Sequence, residues 1–125
     1  MQDRERSGGM PAPSGLGRLR RRAEFVRAAR AGRKGARDAL VVQALARDDG
    51  ETRIGFTATK KIGNAVARNR AKRRLRAAAR LKLGAAPPPG WDLVLIARGT
   101  TGTCTFPALL ADLDGALRKA GVPLP

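Results

Sequence analysis

Histidine and tyrosine are absent from the 125 residues, and cysteine and tryptophan occur once each. Without an imidazole and with a single thiol, the chain holds no histidine general base, no Cys/His dyad and no zinc site of the usual Cys/His spacing. An intrachain disulfide is excluded as well. Cys104 lies between Thr103 and Thr105 rather than beside the basic groups that lower a thiol's pKa, so it reads as a small packing residue in a reducing compartment. Aromatic side chains are limited to Phe25, Phe56, Trp91 and Phe106, too few for a sheet that stacks successive bases across one face. No apolar run approaches the roughly 18 residues of a membrane span, and the N-terminus has no continuous apolar signal segment. These absences lead us to expect a cytoplasmic, soluble protein with no membrane attachment, no protein-held metal and no small-molecule cofactor.

Negative charge is the other scarcity. Ten Asp and Glu face 26 Lys and Arg, a formal net charge of +16, which points to a polyanionic partner. The 42% hydrophobic content contains 23 alanines, while Leu, Ile, Val and Phe together number 26. That supports one domain with a modest core. Residues 1–17, with Ser7-Gly8-Gly9 and Pro11-Ala12-Pro13-Ser14, show no apolar period and read as a disordered basic arm. Residues 18–121 read as a single α+β domain and residues 122–125 as a tail.

Within the domain, residues 18–31 place Leu19, Ala23, Val26, Arg27 and Arg30 at helical intervals, with Gly32 and Gly35 as the stop. The apolar run 39–46 predicts a strand, and Arg47-Asp48-Asp49-Gly50 predicts a turn. Residues 52–59 alternate, with Ile54, Phe56 and Ala58 on one face and Arg53, Gly55, Thr57 and Thr59 on the other. These two strands are expected to pair antiparallel. Residues 64–83 form the longest helical segment, Gly84 and Pro87-Pro88-Pro89-Gly90 prevent its continuation, and Leu93-Val94-Leu95-Ile96 predicts a strand buried on both faces. Leu109, Leu110, Leu113, Ala116 and Leu117 form one face of a last helix over 106–120. Three helices on a mixed sheet of three or four strands make a two-layer α/β sandwich of the α+β class.

Residues 60–82 hold ten Lys or Arg and no acid. On a helix, Arg68, Lys72, Arg76 and Arg80 fall on successive turns with Asn69 and Arg73 beside them, opposite Ala67, Ala71, Leu75 and Ala78. The charged side is either a solvated face rich in arginine or a phosphate-binding face. Its single sign favours the second, because solvated faces usually mix signs. Lys60-Lys61-Ile62-Gly63-Asn64 is either an ordinary strand-to-helix cap, with Asn64 as N-cap, or an anion cradle assisted by Lys60 and Lys61. Phe25, on the basic first helix, is either a core residue or a base-stacking one; Phe56, Trp91 and Phe106 read as core.

Arg53-Ile54-Gly55-Phe56-Thr57, then Lys60 through Arg73 (KKIGNAVARNRAKR), then Arg76, closely resemble the signature of the bacterial ribonuclease P protein subunit. Residues 19–32 look like that family's first helix, and Asp92-Leu93-Val94-Leu95-Ile96-Ala97-Arg98 like its later buried strand. The resemblance implies a fold of the ribosomal protein S5 domain 2-like type, with a left-handed βαβ crossover where general rules favour the right-handed form. It implies a subunit without catalytic residues, whose RNA partner cleaves precursor tRNA with Mg2+ to give the mature 5′ end. Lys60, Lys61, Asn64, Arg68, Asn69, Arg70, Lys72, Arg73 and Arg76 would then contact the ribonuclease P RNA, and Phe25, Arg18 and Arg22 the single-stranded 5′ leader of precursor tRNA. Ala29 and Gln43 stand where the family often places further aromatic residues in the leader cleft. The competing class is a structural RNA-binding protein of ribosomal type, or an RNA chaperone, with no part in cleavage. Docking on an anionic membrane is disfavoured because the apolar stripe of the long helix is mostly alanine.

Overall fold

The computed structural model describes residues 16–124: β1 (Leu16–Arg18), α1 (Arg22–Ala31), β2 (Arg33–Ala36), β3 (Leu40–Ala46), β4 (Thr52–Thr57), α2 (Ala65–Leu83), β5 (Trp91–Ala97) and α3 (Phe106–Lys119). A single 3-10 turn, Lys60–Ile62, joins β4 to α2. The five strands form one mixed sheet in the order β1-β4-β5-β3-β2. The class is α+β, with helices packed on a mixed sheet.

β5 occupies the centre because its sequence leaves no face for water. Leu93 and Leu95 point to one side and Val94 to the other, all buried. Along its edges β5 pairs antiparallel with β3 and parallel with β4. The expected β3–β4 hairpin is therefore not formed. The turn after Ala46 has to cross a whole intervening strand, and its backbone bonds go to that strand's approach: the Arg47 N–H donates to the Gly90 carbonyl (2.7 Å) and the Gly90 N–H to the Gly50 carbonyl (3.2 Å). Gly50 and Gly90, at φ 78° and 82°, supply the left-handed backbone this crossing needs.

Two strands were not legible in the sequence. Residues 33–36, expected to end a helix, pair antiparallel with β3 as an edge strand. Leu16 and Gly17, assigned to the N-terminal arm, form β1 with Arg18, which is not helical; β1 runs parallel to β4, and the Leu19 N–H extends the pairing to the Ile54 carbonyl at 2.9 Å. Both segments are short and lack an alternating apolar pattern, so tertiary pairing alone defines them. The remainder of the expected arm, residues 1–15, lies outside the described residues. In the expected tail, Val122 is buried and Leu124 packs on the core.

The main core lies between the sheet and the α2/α3 layer. Leu40, Val42 and Ala44 of β3, Ile54 of β4, and Leu93 and Leu95 of β5 meet Ala71, Leu75, Ala78, Ala79 and Leu83 of α2 and Leu109, Leu113, Ala116 and Leu117 of α3. Phe56, Trp91, Phe106 and Cys104 are partly buried against it, in keeping with packing roles. α1 lies on the opposite face of the sheet, where Leu19, Ala28 and Val94 form a satellite cluster with Phe25 and Ile96.

The α3 helix reaches the sheet edge because β2 carries glycine at the contact. A β-carbon on Gly35 would lie 2.0 Å from the Ala116 carbonyl oxygen, backbone against backbone. Gly35→Ala is therefore expected to lower unfolding stability by about 1–3 kcal/mol, whereas Gly99→Ala, with nothing within 4 Å of the added carbon, should change it little. Urea unfolding of both variants checks this.

Candidate nucleic-acid interface

α2 begins where Asn64 caps it: its side-chain oxygen accepts the Ala67 N–H at 2.9 Å. The preceding Gly63 sits at φ 137°, a conformation closed to residues with a β-carbon. This abrupt entry turns the chain from the Lys60–Ile62 turn into the helix. Arg68 then reaches back, its Nη1 donating to the Gly63 carbonyl at 2.8 Å, and holds the turn against the first helical residues. Lys60 and Lys61 remain exposed on the turn.

Burial of Ala71, Leu75, Ala78 and Ala79 fixes the helix rotation. The exposed row is Asn69, Arg73, Arg76 and Arg80, with Arg70 to one side, while Arg68 and Lys72 are half-buried on the flank nearer the sheet. The sequence-based stripe through Arg68, Lys72, Arg76 and Arg80 is thus rotated slightly from the true outward direction. Arg76 stands with its guanidinium 5.3 Å from the centroid of the half-buried Phe56 ring, a contact that holds the charge in place at a gain of about 0.5–1 kcal/mol. Besides Arg68, two further cations of the segment are committed internally. Arg74 donates to the Thr101 and Cys104 carbonyls at 2.8 and 2.6 Å, and Lys82 pairs with Asp114 at 3.3 Å. Among the described residues, Lys60, Lys61, Arg70, Lys72, Arg73 and Arg80 have no hydrogen-bonding side chain or carboxylate partner, so like charges line one surface without compensation.

The second expected group lies across the sheet. Phe25 is half-buried, and its ring packs so closely on Gly55 that a β-carbon there would fall 2.6 Å from two ring atoms. Its packing role is therefore real, and the remaining exposed part of the ring borders the outer sheet face. Arg18 and Arg22 are exposed, at the end of β1 and the start of α1. The structure brings Phe25 and these arginines to the α1 face, and it does not bring them to the α2 surface.

A charge network that the sequence analysis missed holds α1 in place. Arg53 of β4 binds both oxygens of Asp92, Nε and Nη2 each at 2.8 Å, and extends Nη1 to Glu24 of α1. Asp92, whose side chain is 1% exposed, also accepts from Arg47 at 3.1 Å. Hydrogen bonding to Asp92 pushes the Arg53 pKa up, and Arg47 is raised by its bond to Asp49. Glu24 accepts the Arg21 and Arg20 N–H groups, both at 2.9 Å. Those backbone bonds, with Arg53 adding to them, lower its pKa from 4.5 to about 2. The available signal was an arginine on the outer face of a half-buried strand and an aspartate at the head of an apolar run.

A family profile described as Ribonuclease P matches residues 15–121. The chain belongs to the ribonuclease P protein family. The ribonuclease P protein component of Ruegeria pomeroyi is 56% identical over 118 residues, which cover 91% of this chain and 94% of the relative. That of Gluconacetobacter diazotrophicus is 57% identical over 106 residues, 84% of this chain and 91% of the relative. Among solved structures, a Staphylococcus aureus RNase P protein mutant with defective mRNA degradation activity superposes with TM-score 0.72 at 28% identity, over 85% of this chain and 89% of that one. The RNase P protein from Thermotoga maritima gives 0.65 at 26% identity, over 77% and 90%. As a ribonuclease P protein subunit, the chain is part of an endoribonuclease holoenzyme. No helix among its described residues is long and apolar enough to cross a membrane.

Because the folded pKa of Glu24 is depressed, its contribution to stability is full above about pH 4.5 and is lost as pH falls through about 2. Glu24→Gln should therefore cost on the order of 2 kcal/mol at neutral pH and flatten the acid limb of the stability curve between those values. Chemical denaturation of both forms across pH 2–6 measures it; parallel curves would remove Glu24 from the network's energetics.

Proposed function

We propose that the α2 surface binds the catalytic RNA of ribonuclease P through Lys60, Lys61, Asn64, Arg68, Asn69, Arg70, Lys72, Arg73 and Arg76. On this reading the α1 face, with Phe25, Arg18 and Arg22, takes the single-stranded 5′ leader of precursor tRNA. The holoenzyme then removes that leader in the cytoplasm, with the cleavage chemistry supplied by the RNA. The observation that carries the proposal is the acid-free run 60–82, folded so that Lys60, Lys61, Arg70, Lys72, Arg73 and Arg80 share one uncompensated surface. Mutual repulsion along that surface costs stability in isolation and is relieved by a polyanion. The rigid capped helix gives planar guanidinium groups a fixed spacing against phosphate oxygens.

The division of roles is graded by the contacts. Arg70, Lys72 and Arg73 are available for phosphate, whereas Asn64 and Arg68 act mainly by shaping the entry to α2. Arg76 arrives already oriented over Phe56. On the other face, Phe25 offers only the part of its ring that Gly55 leaves exposed, so leader binding depends on the arginines around it as much as on stacking.

Magnesium belongs to the family's reaction, and the donor set of this chain does not fit a site for it. Asp92 is occupied by Arg47 and Arg53, Glu24 by Arg53 and two backbone N–H groups. No group of three His, Cys, Asp or Glu residues gathers among the described residues. The protein's part is to neutralise phosphate charge where the two RNAs approach each other.

The test is the salt dependence of binding to the catalytic RNA. Replacing Arg70, Lys72 and Arg73 by alanine should flatten the log–log slope by about two units, at roughly 0.7–0.9 for each phosphate no longer neutralised. An unchanged slope would overturn the assignment of this surface, and tight binding to ribosomal RNA with no effect on cleavage would favour a structural RNA-binding role.

A further inference from the structure

The outward side of α1 carries a shallow groove that, of the proposed leader contacts, takes in only Arg22. Ala23, Val26 and Ala31 floor it, and Arg22, Arg27 and Arg30 flank it. Val26 is 37% exposed there, one of three large apolar side chains left open to solvent among the described residues. The side chains of Arg22, Arg27 and Arg30 make no hydrogen bond or ion pair with any described residue. The only acid of the helix, Glu24, is turned towards the sheet and committed to Arg53. At about 100° per residue, Arg22 lies about 60° from Phe25 around the helix, Val26 about 40° further and Arg30 about 40° beyond that. One continuous path therefore leads from the exposed edge of Phe25, past Arg22, over Val26 to Arg30.

We infer that this groove extends the leader track: the upstream part of the single-stranded 5′ leader crosses the N-terminal half of α1 and lies along its outer face. The inference rests on the reading that Phe25, Arg18 and Arg22 contact the leader. Two features select a single strand over a duplex. The floor is apolar, which suits the face of an unstacked base, and the cations flank it, which suits phosphates alternating with bases. Arg22 to Arg30 spans about 12 Å of helix axis, room for roughly three nucleotides at a stacked rise of about 3.4 Å. Further around the helix, past Arg30 and on the flank away from Arg22, the path is closed by like charge, because Arg27 and Ala31 there face Asp48 and Asp49 of the turn after β3.

The measurement is precursor tRNA binding by the reconstituted holoenzyme as a function of salt, with no leader, a short leader and a leader extended upstream. Wild-type affinity should rise at each extension. The double variant Arg27→Ala/Arg30→Ala should keep the rise from the short leader and abolish the rise from the extension. Its log–log salt slope for the long-leader substrate should fall by about 1.4, at roughly 0.7 per single-strand phosphate. Arg27→Lys/Arg30→Lys should restore most of that slope. A variant that still responds to the extension overturns the inference and leaves the cleft reading standing. Equal weakening with all three substrates, leaderless included, also overturns it and assigns the arginines to mature tRNA or to the catalytic RNA. A wild-type affinity indifferent to the leader overturns the cleft reading itself, and this inference with it.

Discussion

The insertion of β5 between β3 and β4 is the constraint on which the rest of the molecule depends. A strand with Leu93 and Leu95 on one face and Val94 on the other must be covered on both sides. Its position requires the chain to leave β4, traverse α2 and return. α2 is thereby held against the sheet by the strands it connects, and its inner face of alanines, Leu75 and Leu83 is anchored as the sheet closes. The charged outer face follows from that anchoring, because the helix cannot rotate without burying arginine.

The head of β5 also organises the other side of the sheet. Asp92 is almost inaccessible and is matched by Arg47 from the end of β3 and Arg53 from β4. A buried carboxylate with two guanidinium partners is a costly arrangement, and its value lies in geometry more than in net stability. Arg53 continues to Glu24 and so ties α1 to the sheet at a fixed angle. Gly55 lets the Phe25 ring sit directly on the strand. The tilt and height of α1, and with them the shape of the surface proposed to meet the leader, depend on these contacts.

Charge is segregated by the same means. Of the acids among the described residues, Asp92, Glu24, Asp112 and Asp114 are committed to arginine, lysine or backbone N–H partners. Their positions keep α2 and the outer face of α1 positive on opposite sides of one sheet. A subunit built this way can stand between two polyanions and lower the repulsion between them.

Local pattern made much of this legible. The 3.6-residue period of residues 64–83, the alternation of residues 52–57, the continuous apolar run at 93–96 and the capping role of Asn64 are encoded in consecutive side chains, so these elements and the same-sign helix face were readable before any fold was known. The motif around Arg68-Asn69-Arg70 added the family. The neighbour of each strand was not readable, because hydrogen-bond partners between strands depend on which distant segment arrives at the edge. The Asp48-Asp49-Gly50 turn suggested a hairpin, yet β5, far along the chain, separates its two arms. β1 and β2 exist only as partners of β4 and β3, and Gly35 and Gly55 acquire meaning only from the Ala116 carbonyl and the Phe25 ring pressed against them. The sequence by itself determined which residues carry charge and which segments are helical. Tertiary structure alone decided which arginines remain without an internal partner, since Arg53, Arg74 and Arg47 differ from Arg70 and Arg73 only in what the fold brings within hydrogen-bonding distance.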